Sequence, residues 1–245
     1  MSPQRPVVLW DLDGTVLDPA GAITDGIAEA LWTCGFDVPE NLERFVGPPI
    51  GESLRRYTDV PEDQIRQVVS VYRAGYLTEG LERTRLYPGI REVLDTLAQR
   101  GVRQAVATQK PERIATTVVE RFDLARYFET VSGAADDLAG PGAGAGNDPG
   151  AANAPDAANV PGPLHDKPAI IGEALRRLGA LPPDPARTVM VGDRSYDAGG
   201  ARSHGIDCVG ALWGFAQPGE LEDECAALAH EPGDLAHLLL PYTEQ

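Results

Sequence analysis

Two carboxylates, Asp11 and Asp13, stand one residue apart directly after the apolar run at residues 7–10. Side chains alternate along a strand, so both carboxylates are expected on the same side where the strand ends. Two like charges held this close repel each other unless a cation lies between them or one of them carries a proton. The pair could therefore bind a metal or act as acid and base. Asp13 followed by Gly14 is equally typical of a solvated turn.

A second pair of carboxylates, Asp193 and Asp197, follows the apolar run that ends at residue 192. Asp197 lies four residues after Asp193 and so faces it across one helical turn. Asp193 could simply cap the helix that is expected to begin near Ser195. Two strands that both end in acidic clusters, within one sheet, make capping alone an insufficient explanation.

Thr108 and Lys167 are two further candidate site residues. Thr108 ends a predicted strand before a helix, where it could form part of an anion site or act as an ordinary N-cap. Lys167 begins a predicted helix, where a cation opposes the helix dipole, although most lysines are solvated. Neither residue alone decides between its functional and its ordinary structural interpretation. Lys110, the only other lysine, is expected to be solvated or to stabilise its loop.

The elements that position these residues alternate between strands and helices from residue 87 onward. The sequence predicts strands at 7–10, 104–108, 128–132, 188–192 and 207–210, and helices at 90–100, 111–122, 167–178 and 195–203. This alternation predicts an α/β fold with a Rossmann-like parallel sheet and helices on both faces. Ligands of such sheets bind beyond the carboxyl ends of the strands, where the candidate residues lie.

Strand signals are missing between about residues 18 and 85. Helical patterns cover about 23–34, 39–45, 52–57 and 61–81, so a small all-helical unit is expected as an insertion after the first strand. The predicted organisation is an α/β core of 1–17 and 87–245 with a helical insertion of 18–86. Within the core, residues 134–163 are rich in Gly, Ala and Pro and predict a flexible loop, as a spacer or a lid.

Composition limits the classes of function. The 245 residues carry a formal net charge of −16, which argues against nucleic acids or anionic membranes as partners. The sequence shows neither a signal-peptide pattern nor an apolar run long enough to span a membrane. Cys34, Cys208 and Cys225 lack metal-ligand spacing, and we expect a reduced, cytoplasmic protein.

Four motifs occur in a fixed order: Asp-Leu-Asp-Gly-Thr at 11–15, Thr108, Lys167, and Gly-Asp-x-x-x-Asp at 192–197. In this order the chain resembles the haloacid dehalogenase superfamily of phosphotransferases over nearly its whole length, the 134–163 loop excepted. The insertion is similar to the helical cap of the phosphoglycolate phosphatase-like branch. Tyr-Pro-Gly at 87–89 resembles the return hinge of that cap, and residues 211–216 are also similar to that branch.

The resemblance implies a role for each motif residue. Asp11 would be the nucleophile that forms an aspartyl-phosphate, and Asp13 would be the general acid and then the base. Mg²⁺ would be held by the Asp11 carboxylate, the Asp13 carbonyl, Asp193 and Asp197, the last directly or through water. The phosphate-binding residues would be Thr108, Lys167 and Gly14, whose amide could donate to the phosphate. Gln109 stands where relatives often have Asn, which puts substrate contacts at that position in doubt.

The expected function is Mg²⁺-dependent hydrolysis of a small organic phosphate monoester, such as phosphoglycolate, a nucleotide or a sugar phosphate. Arg55, in the cap, would contact the leaving group, or it would be a solvated helix position. Asp13 argues against a dehalogenase, and the absence of lysine from the cap excludes the Schiff-base chemistry of phosphonoacetaldehyde hydrolases. A sugar phosphomutase and a non-catalytic phosphate-binding module remain alternatives. The substrate and the oligomeric state are not determined by the sequence.

Overall fold

The computed structural model describes residues 5–19, 21–135 and 166–244. Its strands are β1 (Val7–Trp10), β2 (Leu17–Asp18), β3 (Arg85–Leu86), β4 (Arg103–Pro111), β5 (Thr130–Ala134), β6 (Thr188–Gly192), β7 (Asp207–Ala211) and β8 (Ala227–Ala229). Six of them form one parallel sheet in the order β5-β4-β1-β6-β7-β8. The strand that leads to Asp11 and Asp13 is thus central.

The helices cover both faces of this sheet, as the sequence predicts. The helices of the described chain, including those of the inserted segment, are α1 (Ala22–Thr33), α2 (Ile50–Tyr57), α3 (Glu62–Gly75), α4 (Leu81–Arg83), α5 (Ile90–Gln99), α6 (Glu112–Arg121), α7 (Lys167–Arg177), α8 (Ser195–Ser203), α9 (Leu235–Leu238) and α10 (Leu240–Thr243). Val8 and Trp10 pack into the apolar cluster that contains α5 and α6. Val7 and Leu9 pack on the other side against α7 and α8. Both faces of β1 are therefore buried, which explains its continuous apolar run.

The chain leaves and re-enters the core through two short antiparallel strands. Leu17 pairs with Leu86, and Asp18 pairs with Arg85. The segment between them contains α1 to α4 and, within its described residues, no strand. This double connection supports the proposed division into a core of 1–17 and 87–245 and a cap of 18–86.

Two local features of the cap differ from the sequence prediction. The helix expected over 39–45 is only a 3₁₀ turn at Glu43–Phe45, because the Asn41 side chain accepts a hydrogen bond from the Glu43 amide at 3.1 Å and competes with helix formation. The helix expected over 61–81 is interrupted after α3 by a π-helical turn at Tyr76–Gly80. Such turns are frequent at functional sites.

The C-terminal part of the sheet also adds a strand that the sequence did not predict. β8 has only three residues and contains no β-branched side chain, so its periodicity carries no strand signal. β5 ends at Ala134, the first residue of the predicted flexible loop. Most of that loop, from residue 136, lies outside the described residues. In the parts of the chain that are described, no helix is long and apolar enough to cross a bilayer.

Candidate active site

Three buried carboxylates converge at the carboxyl ends of the two central strands. Asp11 follows β1, and its amide donates to the Val191 carbonyl at 3.0 Å, which extends the pairing of β1 with β6 by one residue. Asp193 follows β6, and Asp197 lies in the first turn of α8. Carboxylate oxygens of Asp11, Asp193 and Asp197 all lie within 4.8 Å of one another. The register of one sheet therefore brings together residues that are far apart in sequence.

Glycines provide the space for these carboxylates. Gly14 has a φ of 85°, and a Cβ atom there would overlap the Asp193 carboxylate. A Cβ atom at Gly192 would overlap Asp197, and one at Gly214 would overlap Asp193. The glycines at these three positions are therefore part of the site.

Lys167 is buried and connects two of the three carboxylates. Its Nζ atom lies 2.9 Å from Asp11 Oδ1 and 2.6 Å from Asp197 Oδ1, and it donates to the Ala107 carbonyl at 2.9 Å. An ammonium has three N–H donors, and these three protein oxygens surround it within 2.9 Å. The geometry fits Lys167 for orienting Asp11, and a contact with phosphate would require it to exchange a partner.

Asp193 is held by groups that the sequence analysis did not identify. The Thr15 hydroxyl lies 3.2 Å from Asp193 Oδ1 and donates to it. The Phe215 amide donates to Asp193 Oδ2 at 2.8 Å. Phe215 lies in the 211–216 segment, so the resemblance located the segment but not its contact with the acidic cluster.

The electrostatics of the cluster fit a divalent cation. Burial raises the pKa of Asp193 well above its usual value, and the neighbouring Asp197 and Asp11 raise it further. Burial also raises the pKa of Asp197 to about 6, against the opposing effect of Lys167. With all three carboxylates ionised, Lys167 leaves an excess of two negative charges in a buried space. An oxygen-only ligand set of this charge is the kind that Mg²⁺ prefers.

Asp13 lies outside this triad and has a different cation beside it. Its Oδ2 atom is 2.7 Å from Lys110 Nζ, and both side chains are nearly buried. The expectation that Lys110 is solvated is therefore wrong, because its charge is compensated inside the protein; a role in stabilising its loop stays a prediction. Burial raises the pKa of Asp13, and Lys110 opposes this shift.

The structure also changes the expectation for Gly14 and places Thr108. The Gly14 amide donates to the Leu17 carbonyl at 2.8 Å, so it is not available to a phosphate in this structure. Thr108 is buried in β4, and its hydroxyl oxygen accepts a hydrogen bond from the Lys110 amide at 3.3 Å. The Thr108 hydroxyl hydrogen can still be donated to an anion.

A cavity opens beside Asp13, between the core and the segment 18–86. Its lining is mostly apolar and aromatic, with a few polar groups; the residues are Asp13, Ile23, Phe45, Gly47, Pro48, Pro49, Ile50, Tyr72, Arg73, Tyr76, Gln109, Lys110, Pro111, Ile114 and Ala134. Arg55, the predicted leaving-group contact, is not among them. It is exposed, and its guanidinium pairs with Glu62 at 2.6 Å. Arg73 lines the cavity instead, and no pattern in the sequence distinguished it from other arginines.

A model of the haloacid dehalogenase-like hydrolases matches residues 6–205. The tyrosine-protein kinase PtkA of Mycobacterium tuberculosis is 35% identical over 218 residues, which are 88% of this chain but only 64% of the kinase. A 5′-nucleotidase of Pseudomonas aeruginosa is 30% identical, and the match covers 95% of this chain and 93% of the nucleotidase.

Two further matches have lower sequence identity to this chain. A phosphoglycolate phosphatase of Agrobacterium fabrum is 27% identical over 92% of this chain and 91% of its own length. A solved structure, a predicted phosphatase from Clostridium acetobutylicum, has a TM-score of 0.79 and 27% identity over 97% of this chain and 99% of its own. The chain belongs to the haloacid dehalogenase-like hydrolase family and is similar to its phosphoglycolate phosphatase branch.

Proposed function

We propose that the protein is a Mg²⁺-dependent phosphatase that hydrolyses a small organic phosphate monoester. The observation that carries this proposal is the buried cluster of Asp11, Asp193 and Asp197 with Lys167 between two of them. The cluster lies beside a second acid, Asp13, which faces a cavity. The names of the phosphatase relatives support the same class of reaction.

In the proposed first step, an Asp11 carboxylate oxygen attacks phosphorus and the bond to the leaving oxygen breaks. Asp13 donates a proton to that oxygen, so that the leaving group departs as an alcohol. Lys167 holds the Asp11 carboxylate in place, and the Thr108 hydroxyl donates to a phosphoryl oxygen. Mg²⁺ bound by the triad would neutralise charge between the Asp11 carboxylate and the phosphate.

In the second step, Asp13, now ionised, takes a proton from a water molecule that attacks the phosphorus of the aspartyl-phosphate. Phosphate leaves and the Asp11 carboxylate is restored. Apart from Mg²⁺ and water, the proposed hydrolysis needs only these side chains.

The main alternatives to hydrolysis differ in the acceptor of the phosphoryl group. A sugar phosphomutase would pass it to a sugar hydroxyl, and the relative named as a tyrosine kinase makes a tyrosine acceptor a second case to test. The cap contains no histidine to assist such a transfer, which favours water. A non-catalytic phosphate-binding module would not turn over at all.

The test is release of phosphate and nitrophenol from p-nitrophenyl phosphate, with Mg²⁺ and with a chelator. We expect Mg²⁺-dependent release of the two products in equal amounts. The assay is repeated with glucose 1-phosphate and with a tyrosine peptide as acceptors. Less phosphate than nitrophenol in either case would indicate transfer, and a folded protein without turnover would refute the enzyme proposal.

A further inference from the structure

Lys110 has no part in the proposed reaction as described above, yet it is a nearly buried cation directly beside Asp13. Its side chain is 6% exposed. Its Nζ atom lies 2.7 Å from Asp13 Oδ2, donates to the Tyr76 hydroxyl at 3.2 Å, and lies 4.3 Å from the centroid of the Tyr76 ring. A buried ammonium needs such partners, because its desolvation is otherwise unfavourable.

A register shift in β4 directs the Lys110 side chain towards Asp13. The pairing of β4 with β5 shifts register between Thr108 and Pro111, so the strand carries extra residues at this point. Gly133 on β5 accommodates the shift, since a Cβ atom there would lie 2.7 Å from the Lys110 carbonyl oxygen. Bulges near active sites commonly redirect a side chain in this way.

Tyr76 belongs to the segment 18–86, and its position is fixed independently of Lys110. It is the first residue of the π-helical turn and is only 1% exposed. Its ring lies 5.9 Å from that of Tyr72, and Thr84, just before β3, donates to the Gly80 carbonyl of the same turn at 3.0 Å. The contact between the Tyr76 hydroxyl and Lys110 therefore depends on the position of the cap relative to the core.

The two oxygens of Asp13 differ in their surroundings. Oδ2 is held by Lys110, whereas no donor among the described residues reaches the buried Oδ1. Asp13 lines the cavity, and its buried Oδ1, which has no donor beside it in the described part of the chain, is the oxygen that remains to carry the proton. We propose that Lys110 is a positioning residue: it fixes Asp13 for proton transfer and, through Tyr76, makes that position depend on the cap being closed over the core.

This inference rests on the proposed function, because it assigns Asp13 as the acid. Its consequence depends on the leaving group. An alkoxide needs a proton to depart, whereas p-nitrophenolate leaves without one. kcat/KM reports the steps up to the first transfer of the phosphoryl group. Losing Lys110 should therefore lower kcat/KM for an alkyl phosphate much more than for p-nitrophenyl phosphate.

The experiment measures kcat/KM for p-nitrophenyl phosphate and for whichever of 2-phosphoglycolate and AMP the wild type hydrolyses faster. For Lys110→Met we expect a fall of about 100-fold with the alkyl ester and less than about 5-fold with the aryl ester. Tyr76→Phe leaves the ion pair intact and should give a smaller fall, about 3- to 10-fold, with the same selectivity. Arg113→Met, an exposed cation on α6, is the matched control and should change neither value.

A double-mutant cycle distinguishes positioning from a structural effect. If Lys110 acts through Asp13, adding Lys110→Met to Asp13→Asn should lower the alkyl kcat/KM by less than about twofold further. The double variant also removes both buried charges, so it avoids an unpaired one. Equal losses with the two esters, or additive losses in the cycle, would overturn the inference while leaving the phosphatase proposal intact.

Two further outcomes are also decisive. If Lys110→Met alone does not fold, Tyr76→Phe carries the same test, and equal effects of that variant on both esters would refute the link to the cap. A folded wild type that hydrolyses neither p-nitrophenyl phosphate nor any of the alkyl phosphates would instead refute the proposed function, and this inference with it.

Discussion

The two sides of the Asp-x-Asp pair are built in different ways. On the side of Asp11, all partners come from the core: the strand end at Asp193, and the helix starts at Lys167 and Asp197. On the side of Asp13, Lys110 comes from the core and Tyr76 from the cap. The first side is determined by the register of one parallel sheet, whereas the second exists only where two parts of the chain pack together.

The largest effect is expected on the side of Asp11. Asp11→Asn removes the nucleophile, so kcat should fall on the order of 10⁴-fold or more. The fold should be retained, since the change is isosteric and removes one of several mutually repelling charges. Turnover of p-nitrophenyl phosphate and circular dichroism check the two parts. Substantial residual activity in a folded protein would exclude covalent catalysis through Asp11.

Alanine substitutions at Gly14 and Gly35 separate two contributions to the loss of stability. One is overlap with the Asp193 carboxylate, and the other is backbone strain. Both have a positive φ, 85° and 82°, but a Cβ atom would overlap Asp193 at Gly14 and meets nothing within 4 Å at Gly35. Gly35→Ala should lower the free energy of unfolding by about 1–2 kcal/mol. Gly14→Ala should lower it by about 2–5 kcal/mol, since overpacking is added to strain.

Urea unfolding measures both glycine variants, and a Mg²⁺ titration followed by thermal unfolding adds a second reading. Only Gly14→Ala should also weaken the stabilisation by Mg²⁺, because it displaces Asp193. Equal losses of stability in the two variants would mean that the Gly14 loop can move aside, and that the core site is less tightly determined than the comparison implies.

These two sides also explain how far the sequence could predict the site. Asp11, Asp193, Asp197 and Lys167 follow strand ends or begin helices, and periodicity locates such points. The parallel sheet then brings them together, as the fold prediction required. The fold itself was predictable for the same reason, except for short elements such as β8, whose three residues carry no pattern.

The side of Asp13 was not predictable by this route. Lys110 has the sequence context of a solvated residue, and its burial depends on a register shift in β4 that no local pattern encodes. Arg55 and Arg73 are both arginines of the cap, and only the packing of α2 and α3 decides which one faces the cavity. Tyr72 and Tyr76 at helical spacing were a usable signal, but they are equally typical of an apolar helix face.

The stabilisation of the protein by Mg²⁺ should depend on pH, because Mg²⁺ binds the carboxylates of the triad. Burial raises the pKa of Asp197 to about 6 from an ordinary value of 3.8. In the metal-free protein this group favours folding below pH 3.8, and that contribution is lost as the pH rises through about 6. Mg²⁺ binds the ionised carboxylates, so its stabilising effect should grow across the same interval.

The measurement is the shift in Tm caused by Mg²⁺ at about pH 5 and about pH 7.5. At pH 7.5 and a concentration of 100 Kd, the ion should add about 2.7 kcal/mol to the free energy of unfolding. Asp193→Asn should abolish the shift, whereas Glu62→Gln, which changes an exposed carboxylate outside the triad, should preserve it. A shift that is independent of pH would argue against binding by these carboxylates.

The smallest effects separate the two cap arginines. Arg73 lines the cavity beside Asp13, so Arg73→Ala should lower kcat/KM by about 10-fold for 2-phosphoglycolate, whose leaving group carries a carboxylate. It should change kcat/KM for p-nitrophenyl phosphate by less than about twofold, because that leaving group has no charge to pair with Arg73. Arg55→Ala should change neither value, since its guanidinium is exposed and pairs with Glu62. The opposite ranking would mean that the cap closes differently around a bound substrate, and would restore Arg55 as the residue that contacts the leaving group.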